Sequence, residues 1–223
     1  MSKRVLAEVL GTSLLLYVIV GSGIAAETLT VDPGVQLFAH AVAVGVGLGA
    51  LVAMLQTVSG SHFNPSVTLA FWRTRSISGN EATRFVVAQI IGAIAGVGAA
   101  NLSFGHPMAA VSATARRGIG LVFAEGVATF VLVLVILALV RTKRPAAVPI
   151  AVGAWVGSVV FATSSTGFSN PAVTIARIFT DTYTGIAPAS APAFLIAQLA
   201  AGLAAAGLAV VFYPEPVPRQ ASR

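Results

Sequence analysis

Residues 60–70 read Gly-Ser-His-Phe-Asn-Pro-Ser-Val-Thr-Leu-Ala, and residues 167–176 read Gly-Phe-Ser-Asn-Pro-Ala-Val-Thr-Ile-Ala. Both stretches contain an Asn-Pro pair followed by a small residue, Val, Thr, an aliphatic residue and Ala. Asparagine is favoured just before a helix and proline at the first helical position. Each stretch is therefore predicted to be a loop leading into a short helix, capped by Asn64 in the first copy and by Asn170 in the second.

The composition of the chain is that of a membrane protein. Of its 223 residues 57% are apolar and only 9% are charged, and the mean hydropathy is +0.91. A soluble domain carries about a quarter charged residues, and a spanning helix needs about 20 apolar residues. The length therefore leaves room for six or seven spans and for no separate soluble domain. With no cysteine and three histidines, neither a metal site nor a cofactor is expected.

Hydropathy predicts spans at residues 5–26, 36–58, 85–104, 119–140, 147–164 and 191–212, with a polar connection at 73–84 and a short tail at 214–223. A cleaved signal peptide competes for the first span because residues 23–26 are small, but that span has a counterpart later in the chain. The net charge of +6 is attributed to the loops and not to nucleic-acid binding.

The loop charges predict the orientation. If six spans put both ends on one side, that side holds most of the cations: Lys3, Arg4, Arg73, Arg75, Arg84, Arg141, Lys143, Arg144, Arg219 and Arg223. The other side holds Arg116, Arg117 and Arg177. Cytoplasmic loops carry the excess of Lys and Arg. We therefore expect a multi-pass protein of the plasma (inner) membrane with both termini in the cytoplasm.

Further similarities extend the repeat beyond the Asn-Pro pair. Ala-Glu at residues 7–8 with Thr12 recurs at 124–125 with Thr129, and Ala-Gln at 88–89 recurs at 197–198. The chain is therefore predicted to be a single domain, residues 1–223, made of two repeats at about 1–110 and 111–223. Because each repeat has three spans, the second enters the membrane from the opposite side.

Two short helices that enter from opposite sides would meet near the midplane. A helix of 8 to 12 residues is about 12–18 Å long, which is about half the bilayer core. Its amino-terminal end is electropositive, and irregular backbone at that depth lies only against protein or a water-filled cavity. Carbonyls of residues 61–63 and 166–168 would accept hydrogen bonds there, and Asn64 and Asn170 would donate them. This arrangement indicates a pore for small uncharged molecules.

The two Asn-Pro stretches, with the Ala-Glu and Ala-Gln pairs, resemble the aquaporin (major intrinsic protein) family over nearly the whole chain. The resemblance implies an all-α membrane protein with six transmembrane helices and two re-entrant half-helices, assembled in the bilayer as a homotetramer with one pore per protomer. It assigns the pore motifs to Asn64, Pro65, Ser66, Asn170, Pro171 and Ala172. It also implies that Glu8 and Glu125 brace the re-entrant loops; a proton relay is the alternative.

The sequence departs from the family at the narrow outer filter, where arginine normally follows the second motif and this chain has Val173. The remaining filter positions that the resemblance implies are Val44, Phe168 and either Ser158 or Val159. Such a filter is expected to be wide and weakly polar. Arg177 lies one helical turn beyond Val173. It is predicted either to guard the outer vestibule or to pair with Asp181.

Valine at this position, with residues 174–177 and 180–183, is similar to a bacterial aquaglyceroporin branch associated with arsenic resistance. This similarity implies passage of trivalent arsenicals (arsenite and methylarsenite), glycerol-like solutes and water. An ordinary water channel is the first alternative. A secondary active transporter is the second, because inverted repeats with broken helices also build transporters. A membrane enzyme is disfavoured because no histidine is placed to activate a nucleophile.

Overall fold

The structure is a computed structural model that describes residues 2–214, and this range contains α-helices and no β-strand. The helices are α1 (Lys3–Leu29), α2 (Pro33–Leu55), α3 (Pro65–Arg73), α4 (Gly79–Ser103), α5 (Ile119–Arg141), α6 (Val148–Ala162), α7 (Pro171–Ala176) and α8 (Ala191–Phe212). The predicted tail after Pro214 and two of the cations in the loop-charge argument, Arg219 and Arg223, lie outside the described residues.

Six of these helices are long and apolar enough to cross a membrane. They are α1, α2, α4, α5, and α6 and α8 together with the 3-10 turns Pro145–Ala147 and Pro188–Ser190 that precede them. The two other helices, α3 and α7, have nine and six residues and follow the two Asn-Pro pairs. The predicted fold class, six membrane-capable helices plus two half-helices, is confirmed.

The predicted connection at residues 73–84 is shorter than expected, because α4 already begins at Gly79. Ser78 caps the helix and accepts a hydrogen bond from the backbone N–H of Glu81 at 3.2 Å. Ser and Glu at this spacing are the residues of a capping box. Glu81 also forms an ion pair with Arg4, so the polar first turn of α4 is attached to the start of α1.

Glycines allow three of the membrane-capable helices to pack closely on their neighbours. A Cβ atom added at Gly92 or Gly96 of α4 would collide with carbonyl oxygens of α1. Between α2 and α6, a Cβ on Gly45 or Gly153 would collide with the other glycine's carbonyl oxygen. The helices therefore form a tight bundle around the two half-helices.

The two ends of the bundle can be distinguished by their loops. At the first end, here called the N-terminal face, the Arg4 guanidinium donates to the Ser59 carbonyl at 3.3 Å, so α1 begins beside the loop that follows α2. At the other end, here called the opposite face, residues 104–118 run beside residues 177–190. The N–H of Ala110 donates to the Phe179 carbonyl at 3.1 Å, and that of Ala187 to the Thr114 carbonyl at 2.7 Å.

Candidate functional site: a central cavity between two half-helices

Each half-helix begins at its predicted asparagine cap. The Asn64 side-chain oxygen accepts from the backbone N–H of Ser66 at 2.8 Å. The Asn170 oxygen accepts from the N–H of Ala172 at 3.0 Å and of Val173 at 3.4 Å. Pro65 and Pro171 occupy the first helical positions. After the shorter α7, a 3-10 turn, Arg177–Phe179, continues the segment.

The two caps are joined by reciprocal hydrogen bonds. The Asn64 amide donates to the Ser169 carbonyl at 2.8 Å, and the Asn170 amide donates to the Phe63 carbonyl at 2.8 Å. The Phe63 carbonyl, predicted to face a permeating solute, therefore already accepts from the protein. An amide nitrogen carries two hydrogens, so each asparagine retains one further donor. The N-terminal ends of α3 and α7 thus meet inside the bundle.

The loops that precede both caps have the same unusual backbone. Ser61 and Phe63 have φ angles of 50° and 46°, and the corresponding Gly167 and Ser169 have φ angles of 54° and 50°. Residues other than glycine are uncommon in this left-handed region. Such conformations persist where surrounding contacts enforce them, which directs attention to the groups that hold the loop amides.

Glu8 holds the first loop. Its Oε1 accepts from the N–H of His62 at 3.1 Å and from the Ser59 hydroxyl at 2.6 Å. Its Oε2 accepts from the N–H of Phe63 at 2.8 Å and from the Gln89 amide at 2.7 Å. The carboxylate is fully buried, and all four of these donors come from within the protein.

Glu125 makes the corresponding bonds to the second loop. Its two oxygens accept from the N–H groups of Phe168 and Ser169, each at 2.8 Å, and from the Gln198 amide at 2.6 Å. This carboxylate is also fully buried, and neither Glu8 nor Glu125 belongs to the cavity wall. The geometry therefore favours bracing of the loops over a proton relay.

One cavity includes both asparagines, and four helices contribute residues to its wall at four-residue spacing. These four helices contribute Leu15 and Ile19 of α1, His40, Val44, Leu48 and Val52 of α2, Leu132 and Ile136 of α5, and Val148, Val152, Val156 and Val160 of α6. The α5 positions lie 117 residues after those of α1, and the α6 positions 108 residues after those of α2. The wall thus follows the internal repeat, and His40 is the one polar residue that these four helices contribute to it.

Three of the four predicted filter positions lie on this wall. Val44, Phe168 and Val173 are buried and line the cavity. The remaining position, on α6, is a correction. Ser158 instead faces the groove between α2 and α6 on the outside of the bundle, where its hydroxyl donates to the Ala154 carbonyl at 2.7 Å. Val159, its alternative, packs against Gly167.

Helical geometry explains why the α6 position was wrong. Ser158 lies two residues, or about 200° of helical rotation, from both Val156 and Val160, and those two valines face the cavity. Counting back from Asn170 crosses a loop whose length differs between the halves. The four-residue spacing of the α6 valines is the sequence signal that could have identified the side of α6 that faces the cavity.

Arg177 also lies on the cavity wall, with only 3% of its surface exposed. Its guanidinium stacks over the Phe168 ring, 3.4 Å from the ring centroid, and its Nε donates to the Thr184 carbonyl. The predicted pairing with Asp181 is wrong, because that carboxylate accepts instead from the N–H of Ala113 at 2.9 Å. Within residues 2–214, Arg4 and Glu81 form the only ion pair.

Two residues beside this site were missed in the sequence. His40 lies on the same cavity-facing side of α2 as Val44, and its Nδ1 is hydrogen-bonded to the Ser22 hydroxyl at 2.8 Å. Arg116 lies 5.1 Å from the Phe168 centroid, and its Nε donates to the Gly185 carbonyl at 2.9 Å. Burial lowers the pKa of Arg116 from its ordinary value. The spacing to Val44 could have identified His40, whereas the position of Arg116 depends on loop pairing.

The arrangement defines a class of protein. Six membrane-capable helices surround two half-helices, whose N-terminal ends meet at a cavity lined by four of the six, and this is the construction of a multi-pass membrane channel. Among the described residues, no cluster of three or more His, Cys, Asp or Glu side chains could hold a metal ion.

Comparisons with known proteins agree with that class. Residues 1–169 match the model of the family described as "Major intrinsic protein". The chain is 43% identical over 208 residues to aquaglyceroporin AqpS of Rhizobium meliloti (strain 1021), covering 93% of this chain and 89% of the relative. It is 32% identical over 218 residues to the probable aquaporin AqpM of Archaeoglobus fulgidus, covering 83% and 86%.

A solved structure has the same fold. The X-ray structure of the aquaglyceroporin from Plasmodium falciparum matches with a TM-score of 0.75 at 18% identity, covering 95% of this chain and 97% of that one. The chain therefore belongs to the major intrinsic protein (aquaporin) family. Its relatives are channels and not enzymes, and channels of this family pass small neutral solutes.

Proposed function

We propose that this protein is a passive channel for uncharged solutes larger than water, selected by a filter that lacks arginine. The observation that carries the proposal is Val173, which is buried on the cavity wall directly after the second Asn-Pro-Ala motif. Val44 lies on the same wall, and α6 contributes only valines to it. An arginine at position 173 would narrow this part of the cavity and add a charge, whereas valine does neither.

The preferred solutes are trivalent arsenicals (arsenite and methylarsenite) and glycerol-like molecules, with water as a further solute. Arsenous acid is uncharged near pH 7 and, like glycerol, exposes hydroxyl groups. Such a molecule can exchange hydrogen bonds with the remaining amide donors of Asn64 and Asn170. The apolar walls themselves have little bound water to lose when the solute enters. The 43% identity to a protein named an aquaglyceroporin supports the larger solutes.

An ordinary water channel is the second candidate, and one observation favours it. The guanidinium of Arg177 lies on the wall of the same cavity, where it could narrow the path from a position one turn beyond the usual one. A secondary active transporter is less well supported, since the two buried carboxylates in the spans are already occupied by loop amides.

Shrinkage and reswelling of proteoliposomes, followed by light scattering with water, glycerol and arsenous acid in parallel, tests the proposal. Wild type should pass all three, and Val173→Arg should suppress glycerol and arsenous acid while sparing water. Val173→Leu is the matched control, because it adds bulk without charge and should reduce the larger fluxes less. Passage of water alone by wild type would favour the water channel. Unchanged fluxes of the larger solutes in Val173→Arg would refute the filter assignment.

We also infer the arrangement in the membrane: two inverted repeats, a homotetramer, and both termini in the cytoplasm of a cell whose plasma (inner) membrane holds the protein. Because the chain has no cysteine, single cysteines can be introduced at exposed positions on each face. In intact cells an impermeant maleimide should label Ala115→Cys on the opposite face and spare Ser76→Cys on the N-terminal face. The reverse labelling would invert the orientation, and a monomeric mass in mild detergent would contradict the tetramer.

A further inference from the structure

We propose that His40 and Arg177 form a second, polar selectivity layer, one helical turn from Val44 and Val173 toward the opposite face. This layer supplies the barrier to cations that an uncharged residue such as Val173 cannot provide. The inference rests on the proposed function only in taking the central cavity as the conduction path. In this arrangement the two kinds of selectivity lie at different depths of the path: the valines select by size, and the polar layer selects by charge.

The spacing of the residues places this layer. His40 precedes Val44 by four residues, and α2 begins on the opposite face. Arg177 follows Val173 by four residues, and α7 with its 3-10 turn runs toward that face. Four residues are about one helical turn, or about 6 Å of rise. Both polar side chains are therefore displaced from the valines in the same direction and by a similar distance.

One loop reaches both side chains. The His40 ring meets the ring of Tyr183 edge to face, with centroids 5.8 Å apart. The carbonyl of the next residue, Thr184, accepts from Arg177. Both His40 and Arg177 are nearly inaccessible to solvent, with 3% of each surface exposed, and both belong to the cavity wall. The loop at residues 183–184 thus contacts both members of the layer.

The internal repeat shows that this layer is particular to one end of the cavity. The position equivalent to His40 on α6 is Val148, and the position equivalent to Arg177 after Asn64 is Phe71. Val148 lies on the cavity wall and Phe71 does not. Both polar substitutions in the repeat therefore fall at the end of the cavity near the opposite face.

The contacts of Arg177 leave its charge available to the cavity. Only its Nε donates to a protein acceptor, and in the described part of the chain no carboxylate lies within ion-pair distance. An arginine keeps its positive charge in proteins, and stacking on Phe168 fixes the guanidinium plane. The terminal N–H groups can donate to a solute hydroxyl, whereas hydronium or an ammonium ion meets a fixed like charge.

His40 complements this donor. Its Nδ1 is engaged by Ser22, which leaves Nε2 as the ring atom that can exchange a hydrogen bond with a solute. A neutral polyhydroxylated molecule would therefore replace part of its hydration at the polar layer before it enters the valine layer. A solute without hydrogen-bonding groups gains no such compensation.

Proton leak relative to water permeability, measured in the same proteoliposomes with an entrapped pH dye and a clamped membrane potential, tests the inference. We expect Arg177→Gln to raise this ratio at least about tenfold, because the fixed charge is lost. Arg177→Lys should restore most of the barrier, and His40→Ala should change the ratio less while reducing glycerol flux. Arg117→Gln is the matched control: it removes an exposed loop cation that is not on the cavity wall, and its ratio should equal that of wild type.

A relocated charge makes the test independent of any folding defect in Arg177→Gln. The double variant Val173→Arg with Arg177→Val moves the guanidinium back one turn. It should keep the leak low and abolish glycerol flux. The inference is overturned if Arg177→Gln, with wild-type water permeability and melting curve, leaks no more than wild type, or if Arg177→Lys leaks as Arg177→Gln does. A wild type that passes only water would defeat the proposed function but leave this comparison of leaks intact.

Discussion

The two re-entrant segments, residues 59–73 and 165–179, are alike where they meet and different where they end. In both, a buried glutamate accepts from two loop amides and from a glutamine, and that glutamine donates at 2.9 Å to the threonine four residues after the asparagine cap. The threonines are Thr68 and Thr174. The hydrogen bonds that link glutamate, glutamine and threonine are therefore repeated in the two segments.

The differences begin two residues before each cap. His62 is hydrogen-bonded to Thr68 at 3.1 Å and packs against Phe71 and Phe85. Its counterpart, Phe168, packs against Phe194 and lies beneath the guanidinium of Arg177. The comparison teaches that the repeated groups build the fold, whereas the residues that differ between the segments set the chemistry of each end of the cavity.

Removal of the bracing glutamates should have the largest effect on stability, because it breaks the hydrogen bonds to the loop amides that both segments share. Glu8→Ala leaves four buried donors without their acceptor, and Glu125→Ala leaves three. At about 1–3 kcal/mol for each unsatisfied group, both variants should lower the free energy of unfolding by several kcal/mol, Glu8→Ala by more. Melting curves in detergent measure this, with exposed Glu27→Ala as control. Curves that coincide with wild type would contradict the bracing role.

A substitution at Gly96 of α4 tests whether the two halves differ in how closely their helices pack. Gly96 lies seven residues after Gln89, and its counterpart seven residues after Gln198 is already alanine, Ala205. A methyl group on Gly96 would collide with the Ser13 carbonyl, so Gly96→Ala should destabilise the protein by about 1–3 kcal/mol. Gly207→Ala, which meets no atom within 4 Å, should be neutral or stabilising. Equal melting temperatures for the two variants would show that α1 and α4 can separate without cost.

The reciprocal asparagine bonds predict equal effects in the two segments. Asn64→Asp and Asn170→Asp each replace an amide that donates to the other re-entrant segment at 2.8 Å with a carboxylate that cannot donate. We expect the solute flux per folded channel to fall about tenfold in both, corresponding to about 1.4 kcal/mol. Stopped-flow flux normalised to the amount of folded protein measures this. Normal flux in either variant would count against a role of the caps in conduction.

The smallest effect is expected at the N-terminal face, where the Arg4–Glu81 ion pair has no equivalent among the described residues of the second half. Both side chains are partly exposed, and such pairs contribute about 1 kcal/mol or less. Glu81→Gln should lower the melting temperature slightly at low salt and not at high salt, because salt screens exposed charges. A loss that persists at high salt would contradict an origin in the exposed ion pair, since the backbone N–H of residue 81 that donates to Ser78 is retained in this variant.

Sequence patterns predicted most of the fold because hydropathy and capping are local properties. Asn64 and Asn170 cap the helices as predicted, and α8 has the predicted bounds. The start of α4 was placed too late because its first turn is polar and hydropathy cannot detect it. Ser158 was misplaced because counting along a chain does not preserve a helix face. Arg116 reaches Phe168 only through loop pairing between residues 104–118 and 177–190, which no local pattern records.

The bonds between the two caps also constrain the order of assembly. Asn64 and Ser169 are 105 residues apart in sequence, so the first half of the chain can insert its helices and yet lack the acceptor for its own cap. The centre of the channel can form only when the second half arrives, and such long-range contacts are made late and slowly. A truncated chain that ends after α4 would therefore hold a half-helix with no partner, and adding the second half as a separate chain should complete it.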